Sequence, residues 1–128
     1  MNERHDLAER LLEYGARIVK LVEALPKTVA GQRIGDQLLR SGTSVGANYE
    51  ESQGAESRSD FVHKLQIALK ELRESNYWLR LLAKTGTLPA ERLANLTEES
   101  NQLRAILSKA VATAKGKAKQ ESPTQPAN

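Results

Sequence analysis

The chain has 128 residues and a formal net charge of +3, enough for one domain with a single core. It holds no cysteine, which excludes a disulfide framework and a thiolate metal site. The charged start MNERHDLAER carries no apolar run after it, and no apolar stretch approaches the ~20 residues that span a bilayer, so a cytoplasmic protein without a membrane partner is expected.

Charge is uneven along the chain. Residues 1–64 hold 9 Lys/Arg against 10 Asp/Glu, and residues 65–128 hold 10 against 6. From Arg104 to Lys119 there are five basic residues and no acidic one. A basic end of this kind suits a polyanionic partner, although solvated lysine tails are also common.

Leu7, Leu11, Tyr14, Ile18, Leu21 and Leu25 step alternately by four and three, the seam of a packed helix over about 4–25. Asp6 with Glu9 resembles a capping box, and Leu25-Pro26 is the stop. Thr28 is placed to cap a second helix, about 28–53, with a seam of Ile34, Leu38, Ser41, Val45 and Asn48. Gly54-Ala55-Glu56 breaks it. Ser57 with Asp60 caps a third helix, about 57–85, through Phe61, Leu65, Ala68, Leu72, Ser75, Leu79 and Leu82. Gly86 fits a C-cap, and Pro89 lies in the first turn of a fourth helix, about 88–114. Its seam is Leu93, Leu96, Ser100, Leu103, Leu107, Ala110 and Ala114.

No segment alternates with period two. Four amphipathic helices on short connections specify an all-α, antiparallel up-down-up-down bundle over 1–114. The remainder, 115–128, lacks large apolar residues and reads as a disordered tail.

The second helix carries an unusual stripe. Gly31, Gly35, Gly42 and Gly46 are spaced by 4, 7 and 4 and share one face. Each interior glycine is roughly 1 kcal/mol less favourable than alanine. Four on one stripe imply a compensating gain, most simply a neighbouring helix packed very close. Asn48 lies on the adjacent seam. It either joins a hydrogen-bonded polar layer that fixes register, with Ser41, Ser75 and Ser100, or forms a polar pocket with Glu51 and Glu74.

The third helix carries two further faces. Ile67, Glu71, Glu74, Trp78 and Leu81 lie about 120° around from its seam. Ile67, Trp78 and Leu81 suggest an oligomer contact, because a bundle helix needs only one buried stripe; the alternative is a tryptophan capping the edge of the core. Arg73, Tyr77, Arg80 and Lys84 form the other face, with no acidic residue among them. The cations suit phosphates and Tyr77 suits an unpaired base, while the bland alternative is a solvated helix face.

Enzyme chemistry finds little support. A di-iron bundle needs two Glu-x-x-His motifs, and the chain offers His5 and a single Asp60-x-x-His63, so no metal or cofactor is expected. Gly42 to Gly46 lacks the Lys-Ser/Thr and the preceding strand of a phosphate loop. A Ser–His nucleophile has no supporting pattern either.

The run Ser41-Gly42-Thr43-Ser44-Val45-Gly46-Ala47-Asn48-Tyr49-Glu50-Glu51, then Ser57-Arg58-Ser59-Asp60-Phe61, Lys64-Leu65, Lys70-Glu71 and Tyr77-Trp78-Leu79, resembles the 23S rRNA intervening-sequence protein family, over about Leu11 to Leu107. Many members carry Asn-Ile-Ala-Glu-Gly where this chain has Asn48-Tyr49-Glu50-Glu51-Ser52, which marks a variant branch. The resemblance implies a four-helix bundle assembling into a homopentameric ring. It also implies a distant relation to basic accessory proteins of diversity-generating retroelements, which work with a reverse transcriptase and nucleic acid. Two functions are therefore expected: a non-enzymatic oligomer that binds RNA or DNA non-specifically through Arg73, Tyr77, Arg80 and Lys84, or a ring scaffold whose partner is a protein such as a reverse transcriptase.

Overall fold

The computed structural model describes residues 3–121 and contains four helices and no strand among them. These are α1 (Glu3–Glu23), α2 (Val29–Gln53), α3 (Arg58–Thr85) and α4 (Ala90–Glu121). Their boundaries follow local chemistry. Thr28, in extended geometry, accepts the Gly31 backbone N–H on Oγ1 at 3.0 Å, and Ser57 does the same for Asp60 at 3.0 Å. Gly86 ends α3 in the left-handed region at φ 70°, and Thr87 N–H reaches back to the Leu82 carbonyl at 3.1 Å. The glycine is required there because a side chain would strain that backbone.

Each helix packs on its neighbours in sequence, and α4 returns to α1 in the thinnest contact of the four. Cross-helix partners run in opposite senses: Arg40 of α2 meets Glu71 and Glu74 of α3, while Glu51 meets Lys64. That pairing order makes α2 and α3 antiparallel. Gly42 against Ile18 with Gly46 against Leu11 does the same for α1 and α2, in keeping with the up-down-up-down bundle expected from the seams. The core holds those seams almost entire, from Leu11, Tyr14 and Ile18 through Leu72, Leu79 and Leu82 to Leu103 and Leu107.

The glycine stripe does what its spacing implies, and its neighbour is α1. A Cβ on Gly42 would stand 2.8 Å from Ile18, one on Gly35 would lie 3.2 Å from Leu25, and one on Gly46 would lie 3.4 Å from the Leu11 carbonyl. A Cβ on Gly31 would run into the Pro26 carbonyl. Close approach along the whole hairpin offsets the poor helix propensity of these residues.

Several boundaries and one seam position differ from expectation. Asp6 and Glu9 form no capping box, since α1 begins at Glu3 and both lie inside it. The last turn tightens after Glu23, with Ala24 and Leu25 N–H bonding three residues back, so Leu25 stays buried although the helix has ended. Pro89 precedes α4 rather than lying in it, its carbonyl accepting Arg92 N–H at 3.0 Å. At the far end α4 continues to Glu121 instead of stopping at 114, because Ala, Lys and Gln dominate that stretch and favour helix without needing a core. The rest of the expected tail lies outside the described residues. On α2 the buried line passes through Val45, Tyr49 and Ser52, leaving Asn48 half-buried at its edge. α2 packs against both α1 and α3, so its buried arc is broader than one seam and turns with the 3.6-residue period.

A polar layer does cross the core, with different members. Ser75 Oγ donates to the Leu72 carbonyl at 2.9 Å, so the Tyr14 hydroxyl donates to Ser75 Oγ at 2.8 Å. Asn76 Nδ2 donates to Ser100 Oγ and to Asn101 Oδ1, both at 3.0 Å. Burial pushes the Tyr14 phenol pKa up, which keeps it a donor. Among the described residues no buried side-chain polar atom lacks a partner, as a register-fixing layer demands. Asn48 instead donates to the Ser44 carbonyl of its own helix at 2.9 Å.

Candidate nucleic-acid interface

α3 is buried along Leu65, Ala68, Leu72, Ser75, Leu79 and Leu82, which fixes where its two flanks point. One flank faces the α2 side. There Arg40 reaches across to Glu71 at 2.8 Å and also pairs with Glu74. Trp78 Nε1–H donates to the same Glu74 carboxylate at 3.0 Å. Together Trp78 and Arg40 hold the Glu74 carboxyl below its ordinary pKa, the indole hydrogen bond contributing most. Trp78 packs against the core of its own chain, and Ile67 and Leu81 lie half-buried on the same face.

The other flank is different in charge. Arg73, Tyr77, Arg80 and Lys84 are all exposed, and Tyr77 retains 49% of its accessible surface. No ion pair joins Arg73, Arg80 or Lys84 to a carboxylate among the described residues, whereas Arg10, Arg40 and Lys64 are each neutralised. The Tyr77 and Trp78 rings pack in a T-shaped pair, with centroids 5.1 Å apart at 74°. About half of the Tyr77 surface stays accessible beside that contact.

Two neighbours extend this flank. Lys70, also exposed, precedes Arg73 by three residues, so 70, 73, 77, 80 and 84 alternate by three and four along one stripe. That periodicity is legible in the sequence, where Lys70 continues the stripe by one step toward the start of α3. Arg80 and Lys84 also border a shallow groove of about 400 Å³ shared with Leu93, Thr97 and Asn101 of α4. This part depends on how α3 and α4 dock, which no spacing on α3 alone reveals.

Other singled-out residues separate. Glu51 pairs with Lys64 at 3.2 Å and Glu74 with Arg40, so Asn48, Glu51 and Glu74 each have a partner elsewhere and form no shared pocket. His63 is exposed on α3, and among the described residues no three of His, Cys, Asp and Glu gather as a metal site would need. No described helix is long and apolar enough to cross a membrane.

An antiparallel four-helix bundle with a glycine-tight first hairpin, and a third helix acidic-paired on one flank and basic on the other, defines the class. The 23S rRNA-intervening sequence protein family matches over residues 3–109, and the chain belongs to that family. A solved structure from the S23 ribosomal protein family, a protein of unknown function from Bacteroides thetaiotaomicron VPI-5482, is similar at 36% identity with a TM-score of 0.80. The similarity covers 87% of this chain and 99% of that one. No curated protein matches the chain.

Proposed function

We propose that the protein is a non-enzymatic, self-assembling bundle of the cytoplasm that binds RNA or DNA without sequence preference through the basic flank of α3. The observation that carries this reading is the unneutralised cluster of Arg73, Arg80 and Lys84 around exposed Tyr77. Cations of this kind contact phosphates, and the aromatic ring stacks on an unpaired base whatever its identity. Self-assembly repeats the stripe on every protomer, so individually weak contacts add through avidity. A homopentameric ring is the assembly that the family resemblance implies.

A second reading, a ring scaffold for a protein partner, draws on the apolar surface. Ile67, Trp78 and Leu81 keep apolar area at the outer α2–α3 face, and Leu12 and Val19, seven residues apart on α1, are 67% and 36% exposed. Two distinct faces suit a head-to-tail contact, which closes into rings. Fluorescence anisotropy with labelled single-stranded RNA separates the readings. Arg73→Glu with Arg80→Glu weakens binding uniformly across sequences if the α3 flank is the nucleic-acid site, and leaves it unchanged if the bundle serves a protein partner.

A further inference from the structure

The basic surface does not end at α3. α4 runs back along that helix: Arg80 and Lys84 share their groove with Leu93, Ala94, Thr97 and Asn101, and Asn76 Nδ2 donates to Asn101 Oδ1 at 3.0 Å. Thr97, Asn101 and Arg104 are spaced by four and three, so they share the face of α4 turned to α3. With the two helices antiparallel and Asn76 opposite Asn101, Arg104 comes level with Arg73 and Thr97 level with Arg80. Arg104 is half-buried, as suits a side chain at a helix–helix boundary.

The charges of this two-helix surface are uncommitted. Among the described residues, the side chains of Arg73, Arg80, Lys84 and Arg104 make no ion pair and no hydrogen bond. Glu98 is the carboxylate that lines the groove, and it accepts from Gln102 at 3.4 Å. The rest of the lining between the cations is small or neutral, with Ala83, Ala94, Thr97 and Asn101. Asn101 spends its Oδ1 on Asn76, so its Nδ2–H groups remain as donors facing the same way as the cations. Arg73 to Lys84 spans about 16 Å of α3, a length on the order of a few nucleotides, with Tyr77 between them.

Building on the nucleic-acid reading of the α3 flank, we infer that the bound form is a single strand seated along the α3–α4 groove. Its phosphates lie on Arg73, Arg80, Lys84 and Arg104, and an unpaired base lies against Tyr77. Electrostatics alone would favour a duplex, whose phosphates are more densely spaced. The aromatic ring reverses that order. Tyr77 stands in the middle of the cations with 49% of its surface accessible, and only a base released from pairing can stack there. A duplex keeps its bases inside and gains nothing from the ring. Arg104 is the further contact this seat requires, since a strand lying on α3 alone would not reach it.

The test is the anisotropy of a labelled RNA of about 12 nucleotides, alone and annealed to its complement. The full chain carries Lys115→Gln, Lys117→Gln and Lys119→Gln, so that the end of α4 adds no attraction. The single strand is expected to bind about tenfold tighter than the duplex, or more, and to quench Trp78, whose ring centroid lies 5.1 Å from that of Tyr77. Tyr77→Ala is expected to weaken the single strand about fivefold or more and the duplex much less. Arg104→Gln is expected to flatten the single-strand salt slope by about 0.7, the share of one phosphate contact. A duplex that binds as tightly as the single strand, Trp78 unquenched at saturation, equal losses in Tyr77→Ala, or an unchanged slope in Arg104→Gln would overturn the inference. Equal affinity for polyglutamate would overturn it too, assigning the groove to an acidic polypeptide. If RNA binding persists through such a result and Arg73→Glu with Arg80→Glu still weakens it, the α3 flank stands as a nucleic-acid site and only the single-strand seat falls. No binding of either form at low salt removes both.

Discussion

Gly42 of α2 faces Ile18 of α1 so closely that a Cβ on the glycine would stand 2.8 Å from both Cγ1 and Cγ2 of the isoleucine. A β-branched side chain inside a packed helix has one strongly preferred rotamer, so Ile18 has little freedom to yield. Gly42→Ala is expected to destabilise, because overpacking of about 1–3 kcal/mol outweighs the roughly 1 kcal/mol gained in helix propensity. Gly116→Ala is the contrast, since nothing lies within 4 Å of that position, and it is expected to stabilise. Urea midpoints of the two variants moving in opposite directions meet the expectation; a Gly42→Ala midpoint at or above wild type defeats it.

Trp78 and Glu74 give the bundle an optical pH reporter. Trp78 is the only tryptophan, and its indole N–H bonds the carboxylate whose pKa the folded state depresses. A depressed folded-state pKa stabilises fully above the ordinary carboxylate value, and that contribution is lost as pH falls through the lower, folded value. Indole fluorescence is therefore expected to change with a midpoint on the acid side of the ordinary carboxylate range. In Glu74→Gln that transition should vanish. A midpoint at or above the ordinary value, or one surviving in Glu74→Gln, would detach the reporter from this pair.

Self-assembly can be probed away from Trp78, whose replacement would also disturb the core. Ile67→Glu with Leu81→Glu places charge on the half-buried outer face while sparing the seam. Light scattering is expected to give a smaller particle with unchanged helical circular dichroism. Wild type that is already monomeric at about tens of micromolar, where a standard-sized interface holds, removes both the contact and the ring.

Much of the fold was legible because period and punctuation agree. Thr28, Ser57 and Gly86 act where their chemistry places them, and the seams of α1, α3 and α4 enter the core nearly intact. Asn48 went astray because α2 serves two neighbours, and a single seam drawn through Ser41 and Val45 drifts off the buried arc by the next turn. The role of Asn76 is not legible in the sequence for a related reason. It lies beside the seam of α3, and only the docking of α4 brings Ser100 and Asn101 to it. The basic stripe was legible as a helical face, but its lack of carboxylate partners was not. Glu71 and Glu74 share the same helix and had to be committed to Arg40 before the two flanks could differ in charge.

Nucleic-acid binding by the α3 flank is tested most directly by the salt dependence of affinity for single-stranded RNA. The comparison is between wild type and Arg73→Glu with Arg80→Glu, both carrying Lys115→Gln, Lys117→Gln and Lys119→Gln so that the end of α4 cannot supply the attraction. Neutralised phosphates release counterions, and log affinity should fall linearly with log salt, at a slope of about −0.7 per phosphate contact. With the flank intact, a steep slope is expected; the charge-reversed chain should bind more weakly at every sequence and with a flatter slope. Equal slopes in the two chains, or no binding by either at low salt, would contradict a nucleic-acid site on α3.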